Sequence, residues 1–190
     1  MKIIIKNNLL VLTIFVICFI SCNSNGIEQD LKSWYNSVVH VPMDSMVYLS
    51  NKPYDFYTKA EFIYVIYVDS TSCSDCAIKH LSDWSVFDAS EKYGNERLKY
   101  LFVIAPKPNQ YKHILDMVRG DTCFNEFTFV DTLNIFERKN PNLPKNKLLH
   151  TFLINKEGRV MLVGNPITNP KIGSMLSEII SSSRDSQQSI

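Results

Sequence analysis

Two cysteines, Cys73 and Cys76, are the residues of this chain whose type and spacing most directly suggest chemistry. They lie in the stretch VDSTSCSDCAIKHL, which runs from Val68 to Leu81. Cysteines separated by two residues at the start of a helix are close enough for their sulfur atoms to react with each other. Such a pair can be a redox-active site, half of a metal site or a structural disulfide without a chemical role. The surrounding sequence helps to distinguish these three possibilities.

The first residues of the chain predict a targeting segment. Lys2 and Lys6 precede an unbroken apolar run from Leu9 to Ile20, which is too short to span a bilayer as a mature helix. We therefore expect residues 1–21 to be a signal peptide that is removed on export. Export places the mature chain in an oxidising compartment, where a close cysteine pair can form a disulfide.

The end of the apolar run, Phe19-Ile20-Ser21-Cys22, resembles the lipobox of bacterial lipoproteins. In such proteins a peptidase cuts just before the cysteine, and that cysteine receives the lipid. The resemblance implies that Cys22 is lipidated and that the protein is anchored in the bacterial cell envelope, facing the periplasm. The alternative is an ordinary secretory signal with a stray cysteine. In either case we expect residues 22–46 to form a tether and an N-terminal helix ahead of the folded domain.

Length, charge and the remaining cysteines narrow the class of protein. The 190 residues suffice for one domain with a real core but hardly for two. The 20 Lys and Arg against 19 Asp and Glu are scattered along the chain, so they provide neither a footprint for nucleic acid nor a charged membrane-binding surface. Cys18 belongs to the signal peptide. Cys123 is left over, and it is either a buried inert thiol or a partner for another protein.

Strands and helices alternate along the chain, which predicts an α/β domain with a mixed sheet. The run from Phe62 to Val68 predicts a central strand buried on both faces, and residues 69–72 predict a turn and a helix N-cap. A helix is expected from Cys76 to a stop near Gly94. The other predicted elements are helices over 26–39, 111–120 and 172–180, strands over 47–49, 98–104 and 127–130, and a hairpin of strands over 151–154 and 159–164.

The position of the cysteine pair between a buried strand and an amphipathic helix favours redox chemistry. A cysteine at a helix N-terminus faces unpaired backbone N–H groups and the positive end of the helix dipole, which stabilise a thiolate. We therefore assign Cys73 as the exposed nucleophile. Cys76, one turn further on and expected to be more buried, is the thiol that resolves a mixed disulfide. Asp69 is expected to form the turn or a cap, with proton acceptor for Cys76 as its alternative role.

The order of strand, C-x-x-C, helix, strand, helix and strand, followed by TFLINKEG at Thr151–Gly158, resembles the thioredoxin-like fold. It is similar in particular to membrane-tethered thiol-disulfide oxidoreductases of the TlpA/ResA type. The likeness covers residues 47–183 and implies a three-layer α/β sandwich with a mixed central sheet, a final β-hairpin and a C-terminal helix. A disordered tail is expected over 184–190. The likeness also implies exchange with protein thiols or disulfides in the envelope, without a cofactor.

This chain departs from that family at two places near the cysteine pair. Leu149, followed by His150, stands where the family normally has a cis-proline that faces the cysteines. Ser74 and Asp75 stand between the cysteines in place of the Gly-Pro or Glu-Pro that is common in the family. The carboxylate of Asp75 is expected to oppose thiolate formation and to offset part of the helix-end effect.

Two other functions stay open. Cys73, Cys76 and His150 could bind or deliver copper or zinc, as in the thioredoxin-like copper chaperones, because the resemblance places His150 near the pair. The alternative for His150 is a hydrogen-bonded or exposed histidine at a strand end. A redox-inactive thioredoxin-like interaction module, in which the pair is a structural disulfide, is the other function. His80 is expected to be a packing or surface residue, and His113 shows no partner in the sequence.

Overall fold

The computed structural model describes residues 24–50, 53, 56–87, 97–120 and 127–188. The predicted signal peptide, the lipidation candidate Cys22 and the leftover Cys123 lie outside these ranges. Within them, no helix combines the length and the hydrophobicity that a membrane span needs.

The described ranges contain a mixture of strands, α-helices and short 3-10 helices. The strands are β1 (Val47–Tyr48), β2 (Phe62–Val68), β3 (Leu98–Ile104), β4 (Thr128–Val130), β5 (Thr151–Asn155) and β6 (Val160–Val163). The α-helices are α1 (Ser24–Trp34), α2 (Phe56–Lys59), α3 (Ser74–Lys79), α4 (Tyr111–Gly120), α5 (Ile135–Lys139) and α6 (Pro170–Gln188). The 3-10 helices are Met43–Ser45, Leu81–Phe87, Pro108–Gln110 and Lys147–Leu149.

All six strands form one mixed sheet in the order β1-β4-β3-β2-β5-β6. Strands β2, β3 and β4 run parallel to one another, whereas β1 runs antiparallel to β4, β5 to β2 and β6 to β5. Val65 of the central strand pairs with Leu101 on one side and with Phe152 on the other. Strand β2 is thus flanked on both edges and covered on both faces, which explains its uninterrupted apolar sequence. The predicted mixed sheet with a final hairpin is confirmed.

Helices cover both faces of the sheet and complete the three-layer sandwich. Because side chains alternate along a strand, Tyr64 of β2 points into one core and Val65 into the other. The core around Tyr64 is closed by α3, α4 and α6, through Ile78, Ile114 and Leu176. The opposite core is closed mainly by aromatic side chains from three other elements, which are Trp34, Tyr57 and Phe136. The α/β class predicted from the sequence is therefore confirmed.

The helix predicted from Cys76 to Gly94 is shorter than expected. Helix α3 ends at Lys79, and a 3-10 helix follows from Leu81 to Phe87; the rest of the prediction lies outside the described residues. The buried residues Ile78, Leu81 and Trp84 are spaced by three. A spacing of three places side chains on one line in a 3-10 helix, whereas an α-helix would rotate them progressively off the sheet.

The N-terminal helix also differs from the prediction over 26–39. It ends at Trp34 because Asn36 adopts a left-handed backbone conformation, with φ of 63°. The chain then runs extended beside the final hairpin, where Val38 pairs with Arg159 and the Val39 N–H donates to the Gly158 carbonyl oxygen (2.8 Å). Residues 36–39 therefore fasten the N-terminal segment to the edge of the sheet.

The last helix, α6, continues to Gln188 and so includes most of the tail that we predicted to be disordered. Serine hydroxyls in its second half donate to backbone carbonyls one turn earlier, as Ser181 does to Ser177 (2.7 Å). These bonds satisfy the hydroxyls without breaking the helix. Arg97 also donates to the Ile180 carbonyl (2.9 Å) and to the Ser183 hydroxyl, which holds the helix against β3.

Candidate redox site at the carboxyl end of the central strand

The turn between β2 and α3 is held by the side chain of Asp69. Its Oδ1 accepts hydrogen bonds from the Thr71 backbone N–H (2.8 Å), the Thr71 hydroxyl (2.7 Å) and the Ser72 hydroxyl (3.1 Å). A carboxylate that bonds the backbone two residues on closes a compact turn. The predicted turn role of Asp69 is confirmed, and the turn places Cys73 directly before the first residue of α3.

The ionisation of Asp69 follows from the same contacts. Burial works to raise its pKa, but hydrogen bonds from Thr71 and Ser72, together with the Lys147 ammonium 3.5 Å from Oδ1, outweigh burial and hold the pKa below its ordinary value. A carboxylate with a lowered pKa is a poor proton acceptor. The alternative role of Asp69 as proton acceptor for Cys76 therefore finds no support here.

Cys73 is the N-cap residue of α3. Its Sγ accepts a hydrogen bond from the Cys76 backbone N–H (3.2 Å), and its carbonyl oxygen accepts one from the Ala77 N–H (3.1 Å). A sulfur that accepts a backbone hydrogen bond is stabilised more as a thiolate than as a thiol. The local backbone therefore favours Cys73 as the nucleophile, as its position in the sequence predicts.

Cys73 and Cys76 form a disulfide, with their Cα atoms 5.3 Å apart. Both residues are exposed, which corrects the expectation that Cys76 is more buried than Cys73. The reason is the orientation of α3, whose buried residues Ser74 and Ile78 are four apart and so share the face that packs on the sheet. Cys76 lies midway between them in sequence and so points to the opposite, solvent side. Both sulfur-bearing residues are thus accessible to another protein.

Asp75, between the two cysteines, contacts a histidine from the neighbouring helix. The Asp75 Oδ2 lies 3.1 Å from Nε2 of His113 on α4, while Asp75 Oδ1 is buried and has no hydrogen-bond partner among the described residues. The two residues are 38 positions apart, and nothing in their local sequence signals the contact. The packing of α3 beside α4 brings them together. The carboxylate that we expected to oppose thiolate formation is therefore paired with an imidazole.

His150 lies beside the Asp69 turn, next to the central strand. Its Nε2 donates to the Pro144 carbonyl oxygen (2.8 Å), because a carbonyl can only accept, and its Nδ1 lies 3.5 Å from Oδ2 of Asp69. The ring also packs against Tyr67, with centroids 5.3 Å apart. His150 is thus a buried, hydrogen-bonded histidine next to the start of β5, as the alternative interpretation of the sequence predicts.

The thioredoxin-like family normally has a cis-proline in the loop before β5. In this protein the peptide bonds of that loop, like those of the other described residues, are all trans. Leu149, at the corresponding position, is buried, and the Tyr67 N–H donates to the His150 carbonyl (2.9 Å). This hydrogen bond joins the backbone of the loop to the C-terminal end of β2. The link holds the loop next to the cysteine turn.

A metal centre at Cys73, Cys76 and His150 finds no support in the side-chain positions. In the part of the chain that the structure describes, no three His, Cys, Asp or Glu side chains are grouped as ligands of a metal ion. Both cysteine sulfur atoms are in the disulfide, and the His150 nitrogens face Pro144 and Asp69. The metal-binding alternative stays a hypothesis.

Neither a protein-family model nor a curated protein matches this sequence. Among solved structures, the chain is similar to a thioredoxin-like protein from Bacteroides caccae, with 16% identity, a TM-score of 0.39 and coverage of 66% of this chain. It spans only 42% of that protein. It is also similar to the exposed lipoprotein thioredoxin of Streptococcus pneumoniae, with 16% identity and a TM-score of 0.43, covering 64% of this chain and 87% of that one.

The strand order and the cysteine position together define the class of this protein. A mixed sheet whose central parallel strand leads through a tight turn into a C-x-x-C helix, and which closes with a β-hairpin and a helix, is a thioredoxin-like fold. The pair occupies the carboxyl end of that strand as an exposed disulfide. The chain is thus a thioredoxin-like α/β domain with an exposed disulfide at the carboxyl end of its central strand.

Proposed function

We propose that this protein exchanges disulfides with partner proteins in the bacterial cell envelope, through Cys73 and Cys76, while a lipid on Cys22 anchors it to a membrane. The observation that carries the exchange reaction is the exposed disulfide whose Cys73 sulfur accepts the Cys76 backbone hydrogen bond. A structural staple needs no exposed sulfur and gains nothing from thiolate stabilisation. The lipid anchor is supported by the sequence around Cys22 alone.

The exchange proceeds in two displacement steps. In the reduced protein, the Cys73 thiolate attacks one sulfur of a partner disulfide, so that a mixed disulfide forms and the partner's other sulfur leaves as a thiolate. The Cys76 thiolate then attacks the Cys73 sulfur, which forms the internal disulfide and releases the second partner thiolate. Two electrons pass from the cysteine pair to the partner, and the two cysteine protons leave for water or for the partner thiolates. The reverse sequence oxidises a partner dithiol.

The surface beside the pair suits a polypeptide substrate. Leu148 and Leu133 are 74% and 64% exposed, and they lie in the loops that precede β5 and follow β4. The 147–149 turn is joined to the cysteine turn by the contact between Lys147 and Asp69 (3.5 Å). Exposed leucines at the same edge of the sheet as a reactive disulfide provide apolar contact area for a partner chain.

Trapping with single-cysteine variants tests the exchange reaction. A Cys76→Ser variant keeps the nucleophile but lacks the resolving thiol, so it should accumulate mixed disulfides with envelope proteins that dissolve on reduction. The matched Cys73→Ser variant should accumulate far fewer. Equal yields from both variants, or a wild-type disulfide that never exchanges with a glutathione or dithiol buffer, would overturn the proposal and favour the redox-inactive module.

Cell fractionation tests the anchor separately. The wild-type protein should be found with membranes and should incorporate labelled fatty acid, and a Cys22→Ser variant should lose the label. A wild-type protein that never carries the label would show that Cys22 is a stray cysteine after an ordinary signal. That outcome would leave the exchange reaction untouched.

A further inference from the structure

Helix α1 has an apolar face that is buried against the domain only at its C-terminal end. Ile27, Leu31 and Trp34 are spaced by four and three, so they share one face. Trp34 is 1% exposed and packs edge-on against Phe152 of β5, with ring centroids 5.2 Å apart. Leu31 and Ile27, one and two turns earlier, are 38% and 43% exposed. The face that is buried at the C-terminal end of α1 is thus open to solvent toward its N-terminus.

Tyr35, just beyond the end of α1, extends the exposed apolar surface. It is 56% exposed, and its N–H donates to the Leu31 carbonyl (2.9 Å), which keeps it one turn from Leu31 on the helical path. We call Ile27, Leu31 and Tyr35 the α1 stripe. Tyrosine combines an apolar ring with a polar hydroxyl, a combination that is enriched at the boundary between lipid and water.

The contacts within the described domain give α1 little stabilisation toward its N-terminus. Helix α1 has 11 residues, and isolated helices shorter than about 12–15 residues are marginal in water. The Glu28–Lys32 ion pair (2.7 Å) is exposed to solvent, so it stabilises the helix only slightly. Among the α1 side chains whose burial the structure describes, Trp34 is the one that is fully buried. An apolar surface laid against Ile27 and Leu31 would supply the remaining stabilisation.

The position of Cys22 identifies that surface. Ile27 lies only five positions after Cys22, a distance of at most about 18 Å even when the chain is fully extended. A lipid on Cys22 therefore holds α1 within one bilayer leaflet's depth of the headgroups. We propose that the α1 stripe rests in the lipid–water boundary of the membrane that carries the anchor, an inference that rests on the lipid anchor of the proposed function.

A second copy of this chain is a poorer occupant. Stable protein interfaces bury about 800 Å² on each partner. The three side chains of the α1 stripe, each only about half exposed, present much less than that. Contact with the lipid–water boundary does not require so large a buried area, because the lipid on Cys22 already attaches the protein and the α1 stripe only has to orient the domain. With α1 against the membrane and Trp34 locked in the core, the domain and its cysteine pair would keep a defined direction relative to the surface.

Fluorescence quenching by brominated lipids tests this orientation. The lipidated full-length protein is incorporated into vesicles of phosphatidylcholine and phosphatidylglycerol, with bromine on the upper part of the acyl chains. In a Leu31→Trp variant, the added emission should fall by about half or more, because the apolar face of such a helix sits about 5–10 Å into the boundary. The matched Ser33→Trp variant places the probe on the polar face of the same helix and should be quenched far less.

The outcomes separate this inference from the anchor. Vesicle flotation of both variants, measured first, reports the anchor itself: a chain that does not float overturns both proposals. A chain that floats while Leu31→Trp and Ser33→Trp are quenched equally keeps the anchor and overturns the α1 stripe as a membrane contact. Concentration-dependent cross-linking between copies through position 31 would overturn it in favour of a dimer.

Discussion

Nε2 of His113 lies 3.1 Å from Oδ2 of Asp75, so an imidazole from α4 touches the only carboxylate placed between the two cysteines. This contact joins Asp75, which lies between the two cysteines, to a helix that contributes no cysteine. A charge beside a thiolate changes the balance between dithiol and disulfide, because it acts on the reduced form alone. Substitutions at Asp75 and His113 are therefore expected to change the reduction potential of the disulfide, which can be measured.

Removing the charge of Asp75 should make the disulfide more oxidising. An Asp75→Asn variant removes the negative charge two residues from Cys73, so the thiolate of the reduced form gains stability and the reduction potential rises. An exposed charge pair contributes about 0.5–1 kcal/mol, which corresponds to about 10–20 mV for a two-electron couple. His113→Gln, which removes the partner of the carboxylate, should shift the potential in the opposite direction.

Equilibration with glutathione or dithiothreitol at pH 7, followed by thiol trapping, measures these potentials. Asp83→Asn is the matched control, since Asp83 pairs with His80 (2.9 Å) outside the C-x-x-C segment. Its potential should stay at the wild-type value. Equal shifts for Asp75→Asn and Asp83→Asn would show that overall charge, and not the position between the cysteines, is responsible.

The stability of the protein should fall in acid partly because of Asp69. Its pKa is lowered in the folded state, so the folded protein binds fewer protons than the unfolded chain as the pH falls below about 4. The stabilisation is complete above the ordinary carboxyl pKa and is lost as the pH falls through the lowered value. Asp69→Asn should cost about 1–2 kcal/mol of unfolding free energy at pH 7 and less in acid.

Urea unfolding at pH 7 and at pH 3 checks this prediction. The pKa of Glu61 is also lowered, since its hydrogen bond and ion pair with Arg97 (2.7 Å) outweigh burial, so wild type and variant share that contribution. The difference between their two pH dependences isolates Asp69. A difference that is the same at both pH values would contradict the lowered pKa.

A methyl group at Gly158 should loosen the attachment of the N-terminal segment. Gly158 has φ of +75°, and an added Cβ would lie 2.6 Å from the Val39 carbonyl oxygen. Gly158→Ala should therefore lower the unfolding free energy by about 1–3 kcal/mol and speed hydrogen exchange at the Val39 amide, whose acceptor is the Gly158 carbonyl.

Gly120→Ala is the control for this substitution. Gly120 is the last residue of α4, and an added Cβ would have no atom within 4 Å. This variant should be neutral or slightly stabilising, by up to about 1 kcal/mol. Comparable losses at the two glycines would show that the close approach to Val39 is not the cause.

His150→Asn should weaken the fold more than it weakens disulfide exchange. The change removes the donor to the buried Pro144 carbonyl and the ring contact with Tyr67, which should lower the unfolding free energy by about 1–3 kcal/mol. Because the imidazole faces Asp69 and Pro144, the reduction potential and the exchange rate with a small disulfide should change little. A tenfold loss of exchange at unchanged stability would instead place His150 in the chemistry of the pair.

Most of the fold could be predicted from the sequence, because strands and helices leave local patterns of apolar residues. The apolar run from Phe62 to Val68 is continuous because both faces of β2 are covered. The three-residue spacing of Ile78, Leu81 and Trp84 is the period of a 3-10 helix, such as the one that follows α3. The predicted long helix at that point was wrong because a run of apolar residues was matched to an α-helical period. The end of α1 at Trp34 was missed because a left-handed Asn36 leaves no apolar pattern.

The sequence by itself determined that Cys73 and Cys76 lie at the start of a helix after a buried central strand, since that information is local. Only the tertiary structure decided what surrounds the pair. The exposure of Cys76 depends on which face of α3 packs on the sheet, and the contact of Asp75 with His113 depends on how α3 lies beside α4. Such relations join residues far apart in the chain, and helix packing sets them without leaving a pattern in either segment.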